Sequence, residues 1–277
     1  MIASVSHIKG FITCPQAAYN RYVLRRAGHG LSKSLEVGTL VHTALERKVC
    51  GAADWWDDTL AEALLHGTEW REIIDQFVLL KPILEDWHLS GQYEVVATEQ
   101  ELALPLGPHT VIGRLDLVLR DVTTGWLWHN NHKTVDDSKN LGTEAERMRT
   151  DWHEAAYAAM GRIAYPTQFW AGSMASFIRK ISLKAINDEK RGPRTGWAIY
   201  SLMVDDDITN RSLDDIKATL DRMEQAYADP DRLLRNRSAC INFGICPYKM
   251  VCDGITRLDN DDRFQSLEPR YANFDAS

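Results

Sequence analysis

The chain has 277 residues, 44% of them hydrophobic and 26% charged, which excludes intrinsic disorder over most of its length and fits a single globular domain. Lysine and arginine number 32 against 39 acidic residues, a net charge of −7 that excludes nucleic-acid binding through the whole surface while leaving room for a local basic groove. No apolar run reaches the roughly 18 residues of a membrane helix, and the start Met1-Ile-Ala-Ser-Val-Ser lacks the charged and apolar segments of a secretory signal, so a cytoplasmic protein without membrane contact is expected.

Ser4 to Arg26 reads as helical, capped by Ser4 or Ser6 and interrupted near Pro15, with Ile8, Phe11, Ile12, Tyr19 and Tyr22 as its apolar stripe. A Gly/Ser-rich loop, Gly28 to Ser34, leads to a second helix over Gly38 to Val49 and one or two more over Trp55 to Trp87. The period then shortens. Tyr93 to Leu106, Thr110 to Leu119 and Trp126 to Thr134 are predicted strands of a meander. Helical character returns at Thr143 to Tyr165, followed by strands at Phe177 to Ala185 and Gly196 to Met203 around the polar loop Asn187 to Thr195, and a late helix at Leu213 to Ala228. This order predicts an α/β fold with a mixed central sheet, ending in a cysteine-rich tail.

Two predicted strands carry the chemistry. Asp116 lies inside the apolar run Val111-Ile-Gly-Arg-Leu-Asp116-Leu-Val-Leu, and a carboxylate there needs a cation or a set of donors. Pairing with Arg114 would satisfy it; so would a metal ion. The next strand, Trp126-Leu-Trp-His-Asn-Asn131-His132-Lys133-Thr134, places His129, Asn131 and Lys133 on one face. An acidic residue two positions before a lysine, beside a strand bearing Asp, is an arrangement for metal-dependent hydrolysis; here that position is Asn131. Upstream, His42 and Glu46 share a helix face. Glu99, on the preceding strand, reads as a solvated edge charge that could approach the site.

Cys14-Pro15, Gly38 to His42, Gly113-Arg-Leu-Asp116, Asn131-His-Lys133-Thr134 and three late cysteines occur in an order that resembles the PD-(D/E)XK nuclease superfamily, in particular its RecB-like branch of phage-type exonucleases and CRISPR-associated adaptation nucleases. The resemblance implies a restriction-endonuclease-like core of about residues 36–204 within one domain spanning 1–277, and a cysteine-clamped lobe built from about 1–30 and 230–255. It implies a metal-dependent DNA nuclease of exonuclease or single-strand/flap type. His42, Asp116, Asn131 and the backbone carbonyl of His132 would hold Mg²⁺ or Mn²⁺, and Lys133 would assist the attacking water. Tyr157 keeps the place of the tyrosine in a Gln-x-x-x-Tyr helix motif, whereas His153 stands where glutamine is expected; ordinary helix packing is the other reading of Tyr157. Asn131 in an acidic position weakens the expected metal site, through either an inactivating substitution or a naturally weak enzyme. A catalytically inactive, nuclease-derived DNA-binding or scaffold protein is therefore the alternative.

Cys240, Cys246 and Cys252 are each separated by five residues, and Cys14 is the natural fourth thiolate, leaving Cys50 structural. Four thiolates suit structural Zn²⁺ or a [4Fe–4S] cluster, and the one-plus-three spacing fits the cubane better. Arg179, Lys180, Lys190, Arg191 and Arg194 form the main basic group expected to meet phosphates of linear or single-stranded DNA. A helicase, recombinase or CRISPR-type partner is compatible with the resemblance.

Overall fold

The computed structural model of the chain describes residues 1–29, 32–136, 138–180, 196–203, 205–241, 245–260 and 262–268. Its contacts divide the chain into two compact units: Leu31–Leu102 with Arg114–Thr209, and Met1–Gly30 with Ala103–Gly113 and Asn210–Ser277.

The first of these holds most of a mixed sheet, two of whose strands reach into the other unit at Ala103–Gly113. Strands β3 (Tyr93–Leu106) and β4 (His109–Asp121) pair, β4 runs antiparallel to β5 (Leu127–Asp136), β5 parallel to β6 (Trp170–Lys180), and β6 antiparallel to β7 (Trp197–Met203). One face packs against helices α3 (Lys33–Val49), α4 (Trp55–Leu64), α5 (Arg71–Val78) and α6 (Lys81–Asp86), burying Val41, Leu45, Phe77, Leu84 and Trp87 against Leu117, Leu119, Trp128, Met174 and Ile178. The other face carries α7 (Leu141–Arg149) and α8 (Trp152–Ala164), packed on Leu115, Val118, Trp170, Ala175 and Phe177. The expected α/β architecture, a mixed central sheet flanked by helices, is what the chain adopts.

Several elements differ from their predicted bounds, each for a local reason. The predicted helical stretch Trp55 to Trp87 is cut at Gly67, whose φ of +78° ends α4's exit turn, and again before Pro82. The single helix expected from Thr143 is two, because Asp151 leaves the helical conformation and caps α8 by accepting from the His153 backbone N–H. Strand β6 starts at Trp170, not at Phe177. Its run Trp-Ala-Gly-Ser-Met-Ala-Ser-Phe is buried on both faces and small side chains let helices approach, so no alternation marks it. The predicted loop Asn187 to Thr195 lies outside the described residues.

In the other unit, β1 (Ile2–Ser4) runs parallel to the start of β4, from Ile2↔Thr110 to Ser4↔Ile112. The predicted break at Pro15 separates α1 (Val5–Thr13) from α2 (Pro15–Ala18), and Ser4 caps α1 by accepting from the His7 N–H. β2 (Arg26–Gly28) pairs antiparallel with β8 (Phe264–Ser266), and α10 (Lys249–Cys252) is a short turn of helix. Helix α9 (Asp206–Tyr227) buries Ile216, Leu220 and Met223, the spacing of one helix face. Among the described residues no helix is long and apolar enough to cross a membrane.

Candidate metal centre and catalytic site

The site begins with α3. Gly38 lets this helix approach β5, since a Cβ there would lie 3.3 Å from Thr134 Oγ1. One turn later His42 faces β4. The β4–β5 pairing runs from Arg120↔Leu127 to Leu117↔Asn130, and the next residue on β4 is Asp116. Its Oδ2 accepts the His132 backbone N–H at 2.8 Å and stands 3.4 Å from His42 Nδ1. Arg114 is not its partner: the Arg114 Nε pairs with Glu99 Oε2 at 2.8 Å.

Glu99 corrects the expectation of a solvated edge charge. One ligand atom each from His42, Glu99 and Asp116 lies within 4.8 Å of the others, a spacing that one cation can bridge. Glu99 adopts φ +46°, a left-handed conformation costly for a side chain other than glycine. Such strain gathers where a side chain must be aimed.

Charge suits the arrangement to a hard ion. Burial alone would raise the Asp116 pKa, but the nearby His42 and Lys133 outweigh it and hold the carboxyl below its ordinary range. Burial lowers the pKa of His42 more than Asp116 raises it, so the imidazole is neutral with a lone pair to give. The His132 ring, 2% exposed, is pushed down to about 3 by burial and sits edge-on to His42 and Trp87, with centroids 5.7 and 5.3 Å away.

On the face opposite the His132 ring, which the β4–β5 register gives to Asp116 as well, Lys133 Nζ donates to Asn131 Oδ1 at 2.8 Å, as strand alternation predicts for residues two apart. Asn131 Nδ2 donates to Glu154 Oε1 at 3.1 Å. Both ends of the carboxamide are thus engaged. Glu154, on α8, also meets His153 Nε2 at 3.1 Å, and His153 Nδ1 meets Asp151 Oδ1 at 2.6 Å. Burial would raise the Glu154 pKa, but the His153 bond and the His129 charge lower it overall. For His153 burial pulls the other way and is outweighed by Asp151 and Glu154, so its pKa is raised. Tyr157, one turn on, lies edge-on to the rings of His129 and His153 at 4.9 and 5.9 Å.

Cys14, Cys240, Cys246 and Cys252 lie in one unit and are partly exposed; Cys50 is exposed and belongs to the other. Burial raises the Cys246 thiol pKa, and the charges of Cys240 and Cys14 add to it. Cys252 is raised by burial, with Arg235 opposing and Cys14, Cys246 and Cys240 adding. The four sulfurs are therefore electrostatic neighbours. Of the basic group, Arg179 Nη1 donates to the Lys139 carbonyl at 2.9 Å and Lys180 Nζ stands 3.4 Å from Asp136 Oδ1. Lys190, Arg191 and Arg194 lie outside the described residues.

The sequence model of the PD-(D/E)XK nuclease superfamily matches residues 2–253. The chain belongs to the PD-(D/E)XK nuclease superfamily. Among solved structures, a protein from Eubacterium rectale proposed to be an exonuclease is similar at a TM-score of 0.52 and 11% identity, over 86% of this chain and 87% of that one, which is a likeness of fold. No curated protein matches the sequence. As a PD-(D/E)XK nuclease the chain brings His42 and Asp116 together, while Asn131 and Lys133 form a hydrogen-bonded pair. Sequence reasoning under-weighted Glu99 and missed Glu154. Glu154 had one readable signal: it stands three residues after the cap Asp151, where an acid favours a helix start, in an otherwise alanine-rich helix.

Proposed function

We propose that the protein is a metal-dependent DNA nuclease that hydrolyses phosphodiester bonds, acting on DNA ends, single strands or flaps, with a [4Fe–4S] cluster in its cysteine lobe. The observation that carries the reading is the convergence of His42, Glu99 and Asp116 within 4.8 Å in a chain of this superfamily. Mg²⁺ or Mn²⁺ fits this donor set, and when bound supplies Lewis-acid polarisation of the phosphate and a more acidic water. Asp116 contributes an ionised oxygen held in place by the His132 N–H. His42 contributes a neutral nitrogen. Lys133, fixed by Asn131, offers an ammonium to a phosphate that gains negative charge during attack. Position 132 keeps its backbone carbonyl as a further donor, and Tyr157 holds the imidazoles of α8 and β5 in place.

The cluster reading rests on the nearness of the four sulfurs, felt by Cys246 and Cys252, whose pKa values burial and the neighbouring thiols raise, and on their one-plus-three spacing. Crowded thiols are costly to ionise alone, and thiolate-binding iron or zinc removes that cost. Cys14, Cys240, Cys246 and Cys252 would hold it.

The test uses protein purified without oxygen and end-labelled linear, single-stranded and flapped DNA. Cleavage is expected with Mg²⁺ or Mn²⁺ and not with EDTA, and Asp116→Asn should lower it about a hundredfold or more while weakening Mn²⁺ binding measured by calorimetry. Asn131 favours a second reading, a DNA-binding protein without turnover, because its amide brings no charge to the ion. Salt-dependent DNA binding with no metal-dependent cleavage would establish that reading instead.

A further inference from the structure

We propose that Glu154 is a positioning residue whose buried carboxylate, acting through Asn131, supplies to Lys133 the negative charge that position 131 lacks. The proposal rests on the nuclease reading above and deepens it.

Donor and acceptor types constrain the amide of Asn131. An ammonium has only donors, and an ionised carboxylate only acceptors. Between Lys133 on one side and Glu154 on the other, an asparagine has one orientation that satisfies both: oxygen toward Lys133 at 2.8 Å, nitrogen toward Glu154 at 3.1 Å. An aspartate at 131 would still accept from Lys133. It would also set an oxygen against Glu154 Oε1 at that same 3.1 Å, two like charges in contact. Asparagine at 131 and glutamate at 154 are thus a matched pair. A carboxylate fits at either position, not at both.

The surroundings of Glu154 are built for an anion. It is 2% exposed, in the first turn of α8, where the helix dipole favours negative charge. The groups facing it are Asn131, His153 at 3.1 Å, His129 at 4.0 Å and the Ser173 hydroxyl of β6, and His153 is braced by Asp151 at 2.6 Å. An unbroken polar chain therefore runs Asp151, His153, Glu154, Asn131, Lys133. Its last member is the ammonium of the proposed site, so the charge of Glu154 reaches that ammonium through one amide.

The test is a cycle of four proteins: wild type, Asn131→Asp, Glu154→Gln and the double variant. Two readouts separate positioning from mere folding. In metal-free protein at neutral pH, Asn131→Asp should lower the thermal midpoint, and the double variant should recover at least half of that loss, because its glutamine again offers a donor to a carboxylate. In Mn²⁺-dependent cleavage of linear DNA, Glu154→Gln should lower kcat about tenfold to a hundredfold with KM unchanged, and the double variant should return to within about threefold of wild type. Additive effects in both readouts, with wild type cleaving, would overturn the role of Glu154 and leave the nuclease reading standing. Absence of cleavage in all four proteins, with Mn²⁺ bound, would overturn the nuclease reading and the positioning role with it.

Discussion

Glu99 carries two opposed demands, and substitutions can separate them. Its carboxylate belongs with His42 and Asp116, but its φ of +46° suits glycine. Glu99→Ala and Glu99→Gly should both weaken Mn²⁺ binding, measured by calorimetry. The glycine variant should be more stable than the alanine variant by about 1 kcal/mol in urea unfolding, because only alanine keeps the strain. Equal stabilities would mean that the backbone at 99 is relaxed. His7 tests the interior in the same residue-by-residue way. It stacks between Tyr22 and Tyr227 at 4.6 and 5.6 Å, and burial pushes its pKa from 6.5 down to about 4. The unfolded chain therefore takes up this proton first as pH falls. The stability His7 preserves as a neutral ring is present above pH 6.5 and lost progressively down to about 4, about 2 kcal/mol of it between pH 7 and 5. His7→Phe should flatten that part of the pH profile of unfolding free energy. Site residues differ in how legible they are. Asp116 can be read because a charge inside an apolar strand is costly and therefore conspicuous, and Lys133 because it stands two residues after position 131 on the neighbouring strand. Glu99 cannot, because its value lies in one backbone angle and in which way a strand edge turns.

Elements were legible where one face is wet. The amphipathic α9 and the cap at Ser4 follow from spacing and side-chain chemistry, whereas β6, covered on both faces, offers no period to read. The helix break at Asp151 had a signal, since Thr150 and Asp151 are weak helix formers and Asp151 with Glu154 three residues on has the pattern of a helix start. β6 also shows how closely its helix is fitted. A Cβ at Gly161 on α8 would lie 2.4 Å from Trp170 Cε2, inside the space the indole occupies. Gly161→Ala should therefore cost about 2–3 kcal/mol of unfolding free energy despite alanine's better helix propensity, with the indole fluorescence altered. A neutral or stabilising result would show that α8 can slide on the sheet. Sliding would also disturb Glu154, which lies two turns earlier on the same helix.

At the scale of the whole molecule, a net charge of −7 and a nucleic-acid substrate are reconciled only if binding is local, so affinity should fall with salt with a shallow slope set by few phosphate contacts. The cluster proposed for the one early and three late cysteines can be seen directly. Protein purified without oxygen should be brown with a broad absorbance near 400 nm, as about expected of thiolate-ligated iron, and Cys14→Ser should remove most of that iron. Zinc in a colourless sample would assign the site to structural zinc. The division into two units has a temporal consequence. Every residue assigned to the ion and its lysine, from His42 to Glu154, belongs to the unit that ends at Thr209, while Cys240, Cys246 and Cys252 follow it. On a translating ribosome, at about 5–20 residues per second, the hydrolytic pocket can assemble seconds before the last sulfur exists. If the proposed cluster is present, its assembly would then follow that of the pocket, and a nascent chain stalled before Cys252 would carry the pocket with an incomplete set of thiols.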